Sequence, residues 1–108
     1  ENFEEVIYEA YGPAGVALII TGVTDNKNRT TPEVKHILSN HGGSLGAQGS
    51  TMWAFNKDEK GDFIPQNPVP LSEGDEEKLS GLIEEIEDHE DIKNVYHNAK
   101  LSLEQIES

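Results

Sequence analysis

The sequence has 108 residues and no cysteine, so it suits a single domain and excludes both a disulfide framework and a thiolate zinc site. Its net charge of −13 should repel a nucleic-acid duplex over most of the surface, because Lys and Arg supply most nucleic-acid affinity. The longest apolar run, residues 16–20, is far shorter than the ~20 residues of a membrane helix, and no signal peptide opens the chain. We therefore expect a soluble, cytoplasmic protein without a membrane partner.

The first elements predict a β-hairpin. Residues 4–11 alternate loosely between apolar and polar side chains, and residues 16–23 are apolar and β-branched. Between them Pro13 fixes φ at a turn position, and the flanking glycines can adopt positive φ. Two strands joined by a tight turn follow from this pattern.

A first helix is predicted to begin near Thr31. Thr30 and Glu33 have the spacing of a capping box, and apolar residues then recur at helical spacing. The glycine pair at residues 42–43 should end the helix, because glycine adopts the left-handed C-terminal conformation without steric cost.

The middle of the chain predicts a third strand and a connector. Residues 50–55 include Met52, Trp53 and Phe55, and we expect Trp53 to anchor the core. Residues 56–70 are polar, contain three prolines and show no period except a short extended piece at residues 63–64, so we interpret them as a connector.

The second half predicts a helix and a final strand. Residues 75–89 carry an apolar stripe that includes Leu82, with acidic residues in the first turn, where the helix dipole favours anions. Residues 92–97 predict the last strand, and residues 99–108 are interpreted as a tail, with a short added helix as one option.

This order of elements predicts an α+β fold. A ferredoxin-like, four-stranded and mostly antiparallel sheet with two helices packed on one face accommodates it with short connections. Such a sheet can leave its other face exposed for a partner. Both Trp53 and Leu82 should then be buried.

Residue spacings argue against catalysis and against a cofactor or metal. No glycine group is followed by Gly-Lys-Ser/Thr, and the four histidines lack metal-ligand spacing. The carboxylates between residues 84 and 91 look like the solvated face of a helix, whereas general acid–base chemistry requires a pocket. We expect a protein that is not an enzyme and binds no cofactor.

One local basic cluster stands out in the loop of residues 24–30 and in the first predicted helix, into which this loop leads. Its candidate contact residues for nucleic-acid phosphate or for a ribosomal or transcription partner are Lys27, Asn28, Arg29, Lys35 and His36. The alternative is structural, since Asp and Asn form turns, Thr30 caps and Arg29 pairs with a carboxylate. We call these five residues the α1 strip, where α1 denotes the predicted first helix.

Five stretches resemble the YebC/PmpR family, which includes the mitochondrial translational activator of cytochrome c oxidase. In the family's order they are YGPAGVALII (residues 11–20), TDNKNRT (24–30), HGGSLG (41–46), GSTMWAF (49–55) and EDHEDIKNVYHN (87–98). The resemblance implies a three-domain protein, with a basic N-terminal domain and an inserted α/β module. Residues 1–98 would then be a single YebC-like domain, in which the connector at residues 56–70 replaces the module.

The resemblance also implies two functions from different classes. Family members are described as transcriptional regulators that bind DNA, and as ribosome-associated factors that assist translation. The expected partners are therefore DNA, or the ribosome and its RNA, bound through the full-length protein, with weak nucleic-acid binding by this acidic piece alone. The alternative is a protein–protein interaction module without nucleic-acid contact.

Overall fold

A computed structural model of the chain describes residues 2–101. It contains two helices and eight strands, with single turns of 3-10 helix at Pro13–Gly15 and Met52–Ala54. The elements are β1 (Glu4–Tyr11), β2 (Ala17–Thr24), α1 (Lys27–Asn40), β3 (Ser44–Leu45), β4 (Phe55–Lys57), β5 (Phe63–Pro65), β6 (Val69–Pro70), α2 (Glu73–Glu87), β7 (Ile92–His97) and β8 (Ala99–Lys100).

A four-stranded antiparallel sheet in the order β3–β1–β2–β7 forms the centre of the fold. The β1–β2 hairpin occupies the two middle positions, with Tyr8 opposite Ile20 and Ala10 opposite Leu18. Both helices pack on the face that carries Leu18 and Ile20. The predicted α+β class, with a four-stranded antiparallel sheet and two helices on one face, is confirmed.

The main core lies between this face and the helices. Leu38 of α1 and Leu82 and Ile86 of α2 are fully buried against Leu18 and Ile20. Burying a side chain of this size contributes about 1.5–3 kcal/mol each, so this layer supplies much of the stability. The predicted burial of Leu82 is confirmed.

The predicted third strand is wrong in position. The third strand of the sheet is Ser44–Leu45, which pairs with the end of β1. Residues 52–54 form a 3-10 turn, and β4 leaves that turn to pair with β5 in a separate hairpin. A 3-10 turn has three residues per turn, so side chains there do not alternate between two faces as they do in a strand.

The predicted burial of Trp53 is also wrong, because its side chain is 72% exposed. The neighbours Ala54 and Phe55 point inward instead. The Trp53 ring is nevertheless held in place, since its Nε1–H donates to the carbonyl of Ser50 at 2.8 Å.

The β4–β5 hairpin covers half of the second face of the sheet. Phe55 and Phe63 pack there on Ile19, and the ring of Tyr96 meets that of Phe63 edge-on at 5.3 Å between centroids. The expectation of an open second face therefore holds only for the other half, toward Glu5 and Ile7.

Both helices begin earlier than predicted. α1 begins at Lys27, so Thr30 lies buried in its first turn and is not the N-cap that the capping-box spacing predicts. α2 begins at Glu73, where Ser72 Oγ accepts a hydrogen bond from Asp75 N at 3.2 Å.

The ends of the connector and the tail also contain strands. β5 coincides with the extended piece predicted at residues 63–64, and β6 pairs in parallel with β8. The final strand β7 is confirmed. The optional helix beyond residue 101 lies outside the described residues. Within residues 2–101 neither helix is long and apolar enough to cross a membrane.

Candidate nucleic-acid interface

Four of the five residues of the α1 strip lie on the side of α1 that faces away from the core. At 100° per residue, Asn28 and Lys35 form one row on the helix surface, and Arg29 and His36 form a second row beside it. The opposite side carries the buried residues Thr30, Val34, Ile37 and Leu38. All five residues of the strip are exposed. Lys27, however, falls on the side of Val34 and Leu38 and is accessible because it begins the helix, so the structure brings only the other four residues together on one helix face.

Arg29 is engaged by carboxylates. Its Nη2 lies 3.0 Å from Asp91 Oδ2 and 3.5 Å from Asp25 Oδ1. The hydrogen bond to Asp91 raises the pKa of Arg29 above its ordinary value. This guanidinium therefore ties α1 to the segment before β7, as the structural alternative predicts, and its charge is largely neutralised locally.

Asp91 is the centre of this connection. Its Oδ2 also lies 2.8 Å from Thr30 Oγ1, which donates to it. Burial by itself would raise the pKa of Asp91, but the hydrogen bonds from Thr30 and Arg29 outweigh burial and lower it. The backbone adds a further link, since Val23 N donates to the carbonyl of Asp91 at 2.9 Å.

The remaining strip residues are less constrained. Lys27 Nζ lies 3.6 Å from Glu4 Oε1, an exposed pair of the kind that contributes about 0–1 kcal/mol. Lys35 forms no ion pair with any residue between 2 and 101. His36 Nε2 lies 3.2 Å from the side-chain amide of Asn40. Lys27, Asn28 and Lys35 are therefore the strip residues best placed to meet an anion.

An open depression of about 750 Å³ adjoins the second row of the strip. Arg29 and His36 line it together with Glu33, Asp88 and Glu90. His89 Nε2 closes one side through a 2.7 Å contact with Glu33 Oε1. With three carboxylates beside one guanidinium, this depression repels phosphate, so an anion would contact the strip at Lys27 or along its Asn28–Lys35 row.

Two features outside the strip were missed by the sequence analysis. Trp53 and Val69 border a hollow of about 300 Å³, which we call the Trp53 hollow. Lys57, Lys60 and Lys93 come together at the open half of the second sheet face. The exposed Trp carried no periodic signal, and Lys93 is too far in sequence from Lys57 and Lys60 for the three lysines to be recognised as a cluster. Across the described part of the chain, no group of three or more His, Asp and Glu residues could hold a metal ion.

Comparison with known proteins identifies the family. The model of the TACO1/YebC second and third domain matches residues 3–61 and 57–99. The chain belongs to the TACO1/YebC family. Among curated YebC relatives, a probable transcriptional regulatory protein of Thermoanaerobacter pseudethanolicus is 34% identical over 95% of this chain and 66% of its own length.

Other YebC relatives agree in sequence and in fold. A probable transcriptional regulatory protein of Thermus thermophilus is 30% identical over 100% of this chain and 67% of its own length. The crystal structure of a conserved hypothetical protein from Aquifex aeolicus superimposes with a TM-score of 0.86 at 25% identity, and covers 94% of this chain and 67% of that one.

The alignments also locate a difference from these YebC proteins. The match to the Thermoanaerobacter protein extends over 163 residues, although this chain has only 108. The two matched segments of the family model meet at residues 57–61. The relatives therefore carry additional residues within the matched region, and we place them at the turn of the β4–β5 hairpin.

Proposed function

We propose that this chain is a non-enzymatic domain of a cytoplasmic gene-expression factor, which contacts nucleic acid or the ribosome through the Asn28–Lys35 row of the α1 strip. The observation that supports this most directly is the exposed Lys35, which lies in line with Asn28 and has no ion-pair partner among residues 2–101, on a domain whose relatives are named probable transcriptional regulatory proteins. Cations on one exposed helix face can neutralise phosphates without reading sequence.

The charge of the chain limits how strong this contact is. The net charge of −13 opposes approach of any polyanion, and Arg29 is occupied by Asp91. We therefore propose that the strip positions a complex whose main affinity comes from elsewhere in the full-length protein, and that isolated binding is weak and sensitive to salt.

The test compares two double variants in binding to labelled duplex DNA, structured RNA and purified ribosomes. Lys27→Glu with Lys35→Glu reverses the charges of the two strip lysines, of which Lys27 has only an exposed ion pair with Glu4. Lys78→Glu with Lys100→Glu makes the same charge change elsewhere. We expect the strip variant to weaken binding to one of the three targets roughly tenfold at low salt, and the control to weaken it far less. Equal losses in both variants would contradict the α1 contact.

The second candidate function is docking to a protein surface through the Trp53 hollow. A large aromatic ring that is 72% exposed and held by a hydrogen bond is a frequent anchor in protein interfaces. The same assays can distinguish the two candidates. The second is favoured over the first if Trp53→Ala abolishes ribosome binding, and if that binding changes neither with salt nor in the strip variant.

A further inference from the structure

The open half of the second sheet face forms a groove of about 330 Å³ that lies apart from the α1 strip. Ile7, Thr21 and Asn94 make its floor, and they lie side by side on three neighbouring strands because Thr21 pairs with both of the others. Lys57 and Lys60, on the β4–β5 hairpin, and Lys93, on β7, line its rim. We call this the lysine groove.

The lysines of the groove are free to meet an anion. None of the three forms an ion pair with another residue in the described range 2–101, in contrast to Lys27 and Arg29 of the α1 strip. Lys57 is held above the ring of Phe63, with Nζ 5.4 Å from the ring centroid. Three of the eight basic residues of an acidic chain thus converge on one groove.

The carboxylates nearby are mostly occupied by hydrogen bonds. Asp62 Oδ1 accepts from the hydroxyl of Tyr96 at 2.8 Å. Asp58 Oδ1 accepts from the backbone N–H groups of Lys60 and Asp62, at 2.9 Å each, so it is directed into the turn. Glu5 is the remaining carboxylate on the groove wall.

The floor combines an apolar surface with unused polar groups. Ile7 is 53% exposed, which is unusual for an Ile in the middle of a strand. The side chains of Thr21 and Asn94 make no hydrogen bond with any residue between 2 and 101. An apolar platform beside free donors and acceptors suits a nucleobase, and the lysines on the rim suit the phosphates that flank it.

We propose that the lysine groove binds a short single-stranded stretch of nucleic acid, with its phosphates on Lys57, Lys60 and Lys93 and a base over Ile7. This rests on the proposed function, because it assumes that the domain works on nucleic acid, but it assigns the contact to a different surface. Two of the lysines stand on the hairpin turn at which the relatives carry additional residues, so this binding mode belongs to the short form of the domain.

The experiment measures the fluorescence anisotropy of fluorescein-labelled oligouridylate as the whole chain is added, at several salt concentrations. The oligonucleotide is ~10 nucleotides long, because grooves of this kind bind only a few nucleotides. Three double variants carry the same charge change: Lys60→Glu with Lys93→Glu in the groove, the α1 strip pair and the Lys78/Lys100 control pair. All six lysines are exposed, so the three variants should remain folded and have similar melting temperatures, since each adds the same negative charge.

We expect the groove variant to bind at least ~10-fold more weakly than the control pair, and the slope of log affinity against log salt to fall by about 1.4 for two lost single-strand phosphate contacts. Three outcomes would contradict the proposed binding to the lysine groove. They are equal losses of affinity in all three variants, competition by polyglutamate as strong as by unlabelled oligonucleotide, and no binding by the wild type. Loss in the strip variant alone would overturn the groove but leave the proposed function standing.

Discussion

Glu9 shows at the scale of one residue how the chain uses a buried charge. Its carboxylate lies in the sheet and accepts hydrogen bonds from the backbone N–H groups of Gly49, Thr51 and Met52 at 2.6–2.8 Å. Burial by itself would raise the pKa of Glu9, but these hydrogen bonds outweigh burial and lower it. The ionised side chain therefore fixes the segment that leads into the β4–β5 hairpin.

Replacing Glu9 with Gln should lower the free energy of unfolding by about 2 kcal/mol at neutral pH, because charge-assisted hydrogen bonds become weaker neutral ones. The wild-type advantage is present above the ordinary Glu pKa of 4.5 and is lost as pH falls through the lowered value in the folded state. Urea unfolding of both proteins at a series of pH values measures this. A difference that stays constant down to strongly acidic pH would contradict it.

At the scale of elements, Asp91 joins parts of the chain that are distant in sequence. Its side chain contacts Arg29 and Thr30 of α1, and its carbonyl accepts from Val23 of β2. Gly22 makes this approach feasible, since a Cβ at that position would lie 2.2 Å from the same carbonyl. The start of α1 is thereby fixed by tertiary contacts, since the N-cap residue Asn26 makes no side-chain capping hydrogen bond.

The packing of α2 can be tested with one pair of truncations. Leu82→Ala should lower the free energy of unfolding by about 2–5 kcal/mol, because Leu82 is fully buried between α2 and the sheet. Trp53→Ala should change it by less than about 1 kcal/mol, although it removes a larger side chain, because Trp53 is exposed. Thermal and urea unfolding measure both. A larger loss for Trp53→Ala would show that Trp53 belongs to the core.

The elements that the sequence predicts well are those with a clear period. β1, β2, both long helices and β7 carry apolar residues at strand or helix spacing. β3 has only two residues, too few to show a period, and the apolar residues at Met52–Ala54 belong to a 3-10 turn. The sequence pattern therefore predicts the third strand several residues too late. Trp53 is a large aromatic residue close to Phe55, so the sequence predicts that it is buried. The geometry of the 3-10 turn instead directs its side chain into the solvent.

The candidate site, like the fold, could be predicted only where its residues are close together in sequence. The α1 strip could be recognised because its cations lie close together in sequence. The pairing of Arg29 with a carboxylate was one of the two alternatives, but its partner could not be identified, because Arg29 and Asp91 are 62 residues apart. The lysine groove could not be predicted for the same reason, since the hairpin and β7 meet only in the folded chain, through the packing of Phe63 on Tyr96 and the hydrogen bond from Tyr96 to Asp62.

For the whole molecule, the dominant electrostatic fact is an excess of negative charge. The chain has 21 acidic residues against 8 basic ones, and most acidic side chains lie on the surface. Their mutual repulsion destabilises the folded state more than the expanded unfolded chain. The same charge makes two copies of the protein repel each other. It also restricts any contact with a polyanion to local clusters of lysine.

Raising NaCl from about 0.05 M to about 0.5 M should therefore increase the free energy of unfolding, by roughly 1 kcal/mol, because salt screens this repulsion. Chemical unfolding by urea, which carries no charge, measures the change at each salt concentration. The Lys78/Lys100 control variant, which is more negative than the wild type, should show a larger increase. A decrease with salt would mean that attractive ion pairs dominate.

The β4–β5 hairpin also makes this fold a convenient host for engineering. Lys57 and Phe63 are paired opposite each other, so the two ends of the turn lie about one strand spacing, ~5 Å, apart. A guest domain whose own termini are adjacent could be spliced there without pulling the strands apart, and each doubling of loop length adds only about 0.6 kcal/mol of closure entropy. A fluorescent reporter placed at Gly61 would thus leave the central sheet and both helices to fold as they do now.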